Sequence, residues 1–99
     1  MALTERQKKH LRRLGHALHP VVLVGQRGLT DGVIAEFRRA LADHELVKLR
    51  ARVGDRTARD ETLARLAAAA ECELVHRIGN VGLFYKRNNR LQGILLPDS

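Results

Sequence analysis

Residues 25–28 read Gly-Gln-Arg-Gly, and their types and spacing suit contact with a phosphate group. They follow the apolar run 21–24 and precede a helical pattern that begins near Thr30. Glycines allow close approach of another backbone. A helix N-terminus offers unpaired N–H groups with partial positive charge, and Arg27 adds a guanidinium suited to a phosphodiester. The segment therefore predicts a phosphate-binding loop, with a purely structural strand-to-helix turn as the alternative.

The spacing of the glycines excludes two common nucleotide-binding loops. No Gly-Lys-Ser or Gly-Lys-Thr follows, so this is not a Walker loop. Gly25, Gly28 and Gly32 are three and four residues apart, which does not match a dinucleotide fingerprint. A strand, a GxxG loop and a helix in that order is the arrangement with which KH-type domains hold a nucleic-acid backbone. This context favours nucleic-acid binding over a structural turn.

Catalytic groups are sparse in this sequence. The only serine is Ser99 at the end of the chain, which disfavours a serine nucleophile. The adjacent acids Asp60 and Glu61 fall in a charge-mixed helix start and do not predict an acid–base pair. Cys72 stands at the end of an alanine-rich helical pattern and is interpreted as a small core or helix-end residue. We expect no enzymatic activity.

The histidines do not form a recognisable metal-binding pattern. His10 and His16 are six residues apart and project from different faces of a helix, and His19 lies beyond that helix. The sequence contains no CxxC or HExxH motif. We expect no metal and no cofactor, and we interpret the histidines as extending the basic surface or as capping the C-terminus of the first helix.

The positive charge is concentrated near the N-terminus. The net charge is +7, and residues 1–28 carry six Lys or Arg against one acid, a net charge of +5. A basic excess of this kind indicates a polyanionic partner, either nucleic acid or an anionic membrane surface. No apolar run approaches the roughly 18 residues of a membrane span. There is no signal-peptide pattern, and a single cysteine fits a reducing compartment, so we expect a cytoplasmic protein.

The hydrophobic pattern predicts seven elements in the order α-β-α-β-α-β-β. Thr4 and Gln7 form a capping box that starts the first helix, and its apolar stripe is Leu11, Leu14 and Leu18. The continuous run 21–24 is typical of a strand buried on both faces or in the centre of a sheet. Thr30 is predicted to be the N-cap of a second helix, which ends at about His44 and has Val33, Ile34, Phe37 and Leu41 on one face.

The second half of the chain predicts one more helix and three more strands. Residues 46–53 alternate between apolar and basic, so Lys48 and Arg50 belong to one face of a strand. A helix over about 57–71 follows, and Gly79-Asn80 then joins two hairpin strands. The last segment, 91–97, is either a short strand or a strap on the core. The predicted fold is a single α/β domain over residues 1–99. We expect two layers, with all helices on one face of a mixed, largely parallel four-stranded sheet.

Aromatic residues are too few for a stacking platform of the RRM type. Phe37 falls in a helical core stripe, whereas Phe84 and Tyr85 point to opposite sides of the last strand. One of these two could stack on a base or simply cover apolar surface. The contacts to nucleic acid should therefore be mainly to phosphate and sugar and should depend strongly on salt.

Three stretches, "LRRLGHALHPVVLVGQRGLT", "HELVKLR" and "LFYKRN", closely resemble the CRM domain in its stand-alone bacterial (YhbY-type) form. CRM stands for chloroplast RNA splicing and ribosome maturation. The resemblance covers nearly the whole chain. It implies a fold like the C-terminal domain of translation initiation factor three and a GxxG loop that helps to bind RNA. It also implies association with precursors of the large ribosomal subunit.

The resemblance and the charge pattern give one set of expected RNA-binding residues. These are the loop Gly25, Gln26, Arg27 and Gly28, the helical Lys9, Arg12 and Arg13, and the strand residues Lys48 and Arg50. We expect a monomer that binds ribosomal RNA and assists assembly of the large subunit. Two alternatives remain: a module that docks on a ribosomal protein without binding RNA, and, on charge alone, a duplex-DNA-binding protein.

Overall fold

The computed structural model describes residues 3–91 and 93–98; Gln92 of the last segment and the terminal Ser99 lie outside the described residues. The seven elements follow the predicted order, and their bounds are α1 Glu5–Gly15, β1 Pro20–Val24, α2 Asp31–His44, β2 Leu46–Ala51, α3 Arg56–Ala70, β3 Glu73–Ile78 and β4 Val81–Tyr85. Each helix begins at a side-chain cap, provided by Thr4, Thr30 and Asp55. The capping box of Thr4 and Gln7 is present as predicted.

The four strands form one mixed sheet in the order β1-β2-β4-β3. This confirms the α/β class and the mixed four-stranded sheet. Only the β1–β2 pair is parallel; β4 runs antiparallel to both β2 and β3. The sheet is thus less parallel than expected, because β4, rather than β3, pairs with β2. This strand order determines which side chains meet on each face.

Helices α2 and α3 cover one face of the sheet and enclose the main core. Phe37 of α2 packs edge-to-face on Phe84 of β4, with ring centroids 4.8 Å apart. The core-facing residues of β2 are the apolar ones of its alternating pattern, as predicted. The buried residues of this core are Val22, Val24, Phe37, Leu41, Val47, Leu49, Ala51, Leu63, Leu66, Ala70 and Phe84.

Helix α1 lies on the opposite face of the sheet, which corrects the expectation that all helices share one face. Its Leu11 is fully buried in a second, smaller core. The helix ends at Gly15, earlier than the stripe predicted, and a Cβ there would lie 2.8 Å from Leu83 Cδ2. The glycine therefore permits α1 to approach β4 closely. The other buried residues of this core are Leu3, Leu46, Val75, Leu83 and Tyr85.

Strand β1 forms an edge of the sheet and is buried on one face only. Val22 and Val24 face the main core, but Val21 and Leu23 are 56% and 53% exposed on the other face. The prediction of a strand buried on both faces or in the centre of the sheet is therefore wrong. A continuous apolar run shows that both faces are apolar, and it does not show that both are covered by the chain. Part of the second face remains open beyond α1.

The last segment is the strap, rather than the strand, of the two predicted alternatives. Residues 93–98 form no regular element, and Ile94 and Leu96 pack against the smaller core. The buried carboxylate of Glu45 accepts hydrogen bonds from the backbone N–H groups of Asn88, at 2.6 Å, and Ile94, at 2.9 Å. One buried acid thus holds the segment that follows β4 at two points.

Candidate nucleic-acid interface

The Gly-Gln-Arg-Gly loop is a tight turn at the exposed end of β1. The N–H of Gly28 donates to the carbonyl of Gly25 at 3.0 Å, and Gln26 and Arg27 are exposed between them. No partner within the described residues accepts the backbone N–H groups of Gln26 or Arg27. The turn therefore presents two backbone donors and one guanidinium to solvent, a combination that suits an anionic oxygen.

The two glycines of the loop differ in what the fold requires of them. Gly28 has φ +71°, a conformation that disfavours residues with a Cβ. Gly25 is not in the left-handed region, and a Cβ there would meet nothing within 4 Å. The turn accounts for Gly28 but not for Gly25. A glycine in open space is consistent with close approach of a partner molecule.

The N-terminus of α2 is less open to an anion than the sequence predicts. The Thr30 hydroxyl accepts the N–H of Val33 at 3.1 Å, and Asp31 places a carboxylate in the first turn. A negative charge there occupies the position that favours a phosphate. The loop itself, rather than the helix end, offers the available donors.

A shallow groove of about 280 Å³ lies between α1 and the open part of the sheet. It collects three of the cations that the sequence predicts: Arg12 from α1, and Lys48 and Arg50 from β2. Gly15 and His16, at the end of α1, and Pro20, at the start of β1, also line the groove. The remaining lining residues come from the hairpin, and they are His76, Ile78, Val81 and Leu83.

The floor of the groove consists of two rows of side chains across three strands. In the first row Lys48, Leu83 and His76 are register partners on β2, β4 and β3. In the second row Arg50, Val81 and Ile78 are partners in the same way. Each row thus places a cation, an apolar residue in the middle and a residue of β3 side by side. The floor is cationic on the β2 side and apolar along β4, and His76 and Ile78 form its β3 side.

The cations of the groove form no ion pairs with acids among the described residues. Two ion pairs form within the described residues, Lys8–Glu5 and Arg77–Asp60, and neither involves a groove cation. The Nε of Arg50 is buried and has no hydrogen-bond partner in the described part of the chain. A buried donor without a partner is costly, and an anionic ligand oxygen would satisfy it.

The pKa of His76 lies below its ordinary value of 6.5. Partial burial is the largest cause, and the positive charges of Arg12, His16 and Arg77 add to it. The groove therefore already disfavours one more positive charge. An anion bound there would reverse this effect, because it would favour the imidazolium form.

The structure brings the predicted site residues together only in part. Lys9 and Arg13 are exposed on α1 and do not line the groove, although Lys9, Arg12, Arg13 and His16 follow the helical spacing of one flank. Leu23, the register partner of Arg50, lies two residues before the loop. At about 3.3 Å per residue, the loop begins roughly 7 Å beyond the groove along β1.

Sequence reasoning missed the contribution of the hairpin to this surface. His76, Ile78 and Val81 reach the groove because β4 lies between β2 and β3, an order that no local pattern reveals. The sequence left open whether Phe84 or Tyr85 stacks on a base. Both side chains are buried, so neither can do so. They face opposite sides of β4, as predicted.

Cys72 is partly buried and packs against the main core, as predicted for a small core residue. Burial raises the pKa of its thiol to about 11. Within residues 3–91 and 93–98, no three His, Cys, Asp or Glu side chains are grouped as metal ligands would be. No helix in the same residues is long and apolar enough to cross a membrane.

The family model of the CRS1 / YhbY (CRM) domain matches residues 3–86 of the sequence. These residues include the loop, the groove and the whole sheet. The chain belongs to the CRM domain family. A Pseudomonas aeruginosa protein named "Probable RNA-binding protein PA4753" is 46% identical over 88 residues, covering 89% of this chain and 85% of that protein. A Haemophilus influenzae "RNA-binding protein" is 36% identical over 95 residues, covering 96% and 95%.

A solved structure has the same fold as this CRM domain. It is the solution structure of a Staphylococcus aureus protein described as "a putative RNA binding protein". The TM-score is 0.84 at 29% sequence identity, and the match covers 97% of this chain and all of that one. The family expected from the three sequence stretches is therefore confirmed, together with its fold class.

Proposed function

We propose that this CRM domain binds RNA, mainly through the sugar-phosphate backbone, along a track from the loop 25–28 to the groove. The observation that carries the proposal is the convergence of Arg12, Lys48 and Arg50, from two separate elements, into one unpaired basic groove beside the loop. Relatives that are named as RNA-binding proteins match this chain in sequence over nearly its whole length, which supports the proposal. Lys9 and Arg13 extend the charge along the exposed flank of α1.

We further propose that the RNA is ribosomal, that the chain acts on precursors of the large subunit, and that it acts as a cytoplasmic monomer. The support is the resemblance of the three sequence stretches to stand-alone bacterial CRM proteins. Crosslinking the protein to RNA in cells and sequencing the attached fragments tests the target. Recovery of large-subunit precursor RNA is the expected result, and a spread of unrelated transcripts would contradict it.

The binding site is tested by measuring RNA affinity over a salt series. Each lost phosphate contact with a single strand should reduce the salt slope by about 0.7. Arg27→Ala should therefore lower affinity and slope, and Arg12→Ala/Arg13→Ala should lower both further. Arg65→Ala is the matched control, because Arg65 is an exposed cation on α3, on the other side of the sheet. If both test variants fold and bind like this control, the site is assigned wrongly.

A second candidate function is docking on a ribosomal protein without direct RNA binding. An apolar hollow of about 510 Å³ beside the edge strand favours it, with exposed Leu14 and Val21 in its lining. Nuclease treatment distinguishes the two functions. Co-sedimentation with ribosomal particles that survives complete RNA digestion supports docking, and its loss supports RNA binding.

A further inference from the structure

Half of the groove is apolar. Binding of phosphate groups alone does not explain this half. Ile78 is 67% exposed, and Val81 and Leu83 lie beside it on the same face. The exposed Ile78 and the partly exposed Val81 lie next to unpaired cations, with the buried Leu83 beneath them. This combination matches the two chemical parts of a nucleotide, which has an apolar ring face and an anionic phosphate. The groove therefore has features of a pocket as well as of an electrostatic track.

We propose that the groove holds one unpaired nucleotide of the RNA, with its base on Ile78 and Val81 and its phosphate among Arg12, Lys48 and Arg50. This rests on the proposed function, because it assigns a role to one part of the same surface. The base would contact aliphatic side chains and the guanidinium planes of the arginines, since both aromatic residues of β4 are buried. Contact would thus depend little on base identity.

The size of the groove selects the kind of ligand. Its volume of about 280 Å³ lies just below the range of roughly 300–1,000 Å³ typical of small-ligand sites. It suits one nucleotide and is too small for a duplex. An RNA strand that is paired keeps its bases stacked inside the helix, so only an unpaired base can reach the apolar floor.

Two further observations favour a nucleotide over an apolar side chain of a protein partner. The buried Nε of Arg50 has no hydrogen-bond partner within the described residues, and Val81 is the register partner of Arg50 on β4. A base carbonyl or a phosphate oxygen supplies the missing acceptor, whereas an aliphatic side chain does not. The three cations around the floor also complement the charge of a nucleotide.

The proposal is tested by a substitution that removes apolar surface and no charge. Ile78→Ser should weaken binding of a single-stranded ten-nucleotide RNA roughly fivefold, the effect of losing one apolar contact. It should leave the salt slope unchanged, because no phosphate contact is lost. Leu95→Ser is the matched control: Leu95 is 89% exposed and does not line the groove. It should bind like the unmodified protein.

The same RNA annealed to its complement provides the second arm. Binding of the duplex should not respond to Ile78→Ser, because its bases cannot enter the groove. Equal effects of Ile78→Ser and Leu95→Ser on the single strand would overturn the proposal, and so would equal losses for single strand and duplex. Arg27→Ala, measured in the same series, keeps the two claims apart. If it lowers affinity and slope while Ile78→Ser does nothing, RNA binding stands and the nucleotide pocket fails.

Discussion

Leu23 of β1 is the register partner of Arg50 of β2, so an exposed apolar side chain lies beside a half-buried guanidinium on the open face of the sheet. This pair joins the two parts of the proposed interface. Two residues after Leu23 the chain enters the Gly-Gln-Arg-Gly loop, and Arg50 lines the groove. One RNA strand that follows β1 would therefore contact both.

Gly25→Ala should reduce RNA binding without affecting stability. A Cβ at residue 25 meets nothing within 4 Å of the folded chain, so the melting temperature should stay within a degree or two of the original. If the RNA backbone approaches the loop closely, the added methyl group separates the two and lowers affinity. Thermal melting and RNA titration of the same sample check both expectations.

Gly28→Ala is the informative comparison for that variant. At φ +71° an alanine is strained, at a cost of about 1 kcal/mol of folding free energy. It should therefore lower the melting temperature, whereas Gly25→Ala should not. RNA affinity of Gly25→Ala equal to that of the unmodified protein would show that no backbone approaches the loop.

RNA binding should strengthen as the pH falls from 8 to 6. The lowered pKa of His76 means that the free protein favours the neutral imidazole, and that folding free energy is lost as the pH falls below 6.5. A phosphate in the groove favours the imidazolium, so the pKa of His76 rises in the complex and binding takes up a proton. Each unit of that rise is worth about tenfold in affinity at low pH.

The charged and basic groups around His76 come from two strands and a helix, and none of them is an acid. They are Arg12 and His16 of α1, Arg77 of β3, and Lys48 and Arg50 of β2. His76→Gln should flatten the dependence of affinity on pH at constant ionic strength. His44→Gln, at the exposed end of α2, should leave it unchanged. A pH dependence that His76→Gln does not alter would contradict this mechanism.

Glu45→Gln should loosen the C-terminal strap. Glu45 is 2% exposed and its carboxylate accepts two backbone N–H groups, from Asn88 and Ile94. Replacing one oxygen by an amide leaves one of these buried donors unsatisfied, at a cost of about 1–3 kcal/mol. Urea unfolding measures the loss of stability, and faster trypsin cleavage at Arg87 or Arg90 reports release of the strap.

Gly93→Ala tests the same contact from the other side. A Cβ at residue 93 would overlap the Glu45 carboxylate, so this variant should destabilise the chain in the same direction. Leu95→Ala is the control, since its side chain is almost fully exposed. Unchanged stability and cleavage for both Glu45→Gln and Gly93→Ala would show that the strap does not depend on Glu45.

The sequence predicts local structure better than it predicts the arrangement of elements. The caps at Thr4 and Thr30 and the alternation of Lys48 and Arg50 all depend on near neighbours, and the structure confirms them. The position of α1 on the second face and the insertion of β4 beside β2 depend on contacts between distant segments. No periodicity records those contacts.

In the candidate site, too, local features could be predicted from the sequence and the arrangement of the elements could not. Arg12, Lys48 and Arg50 could be selected from their charge and spacing, but their meeting in one groove could not. His76 and Ile78 carry no distinctive pattern and enter the site only through their register with β4. The sequence does not reveal the exposure of Val21 and Leu23, because exposed apolar residues look like core residues in a sequence.

The central claim is that the loop and the groove bind one RNA strand together, and an NMR titration tests it most directly. Amide chemical shifts of the isotope-labelled protein are followed while a single-stranded RNA is added. The account predicts that the largest changes occur together at residues 25–28, at Lys48 and Arg50, and at residues 76–81, and that they weaken as salt is raised. The exposed faces of α2 and α3 should change little. Changes confined to those helices, or to the apolar hollow around Leu14 and Val21, would contradict the account.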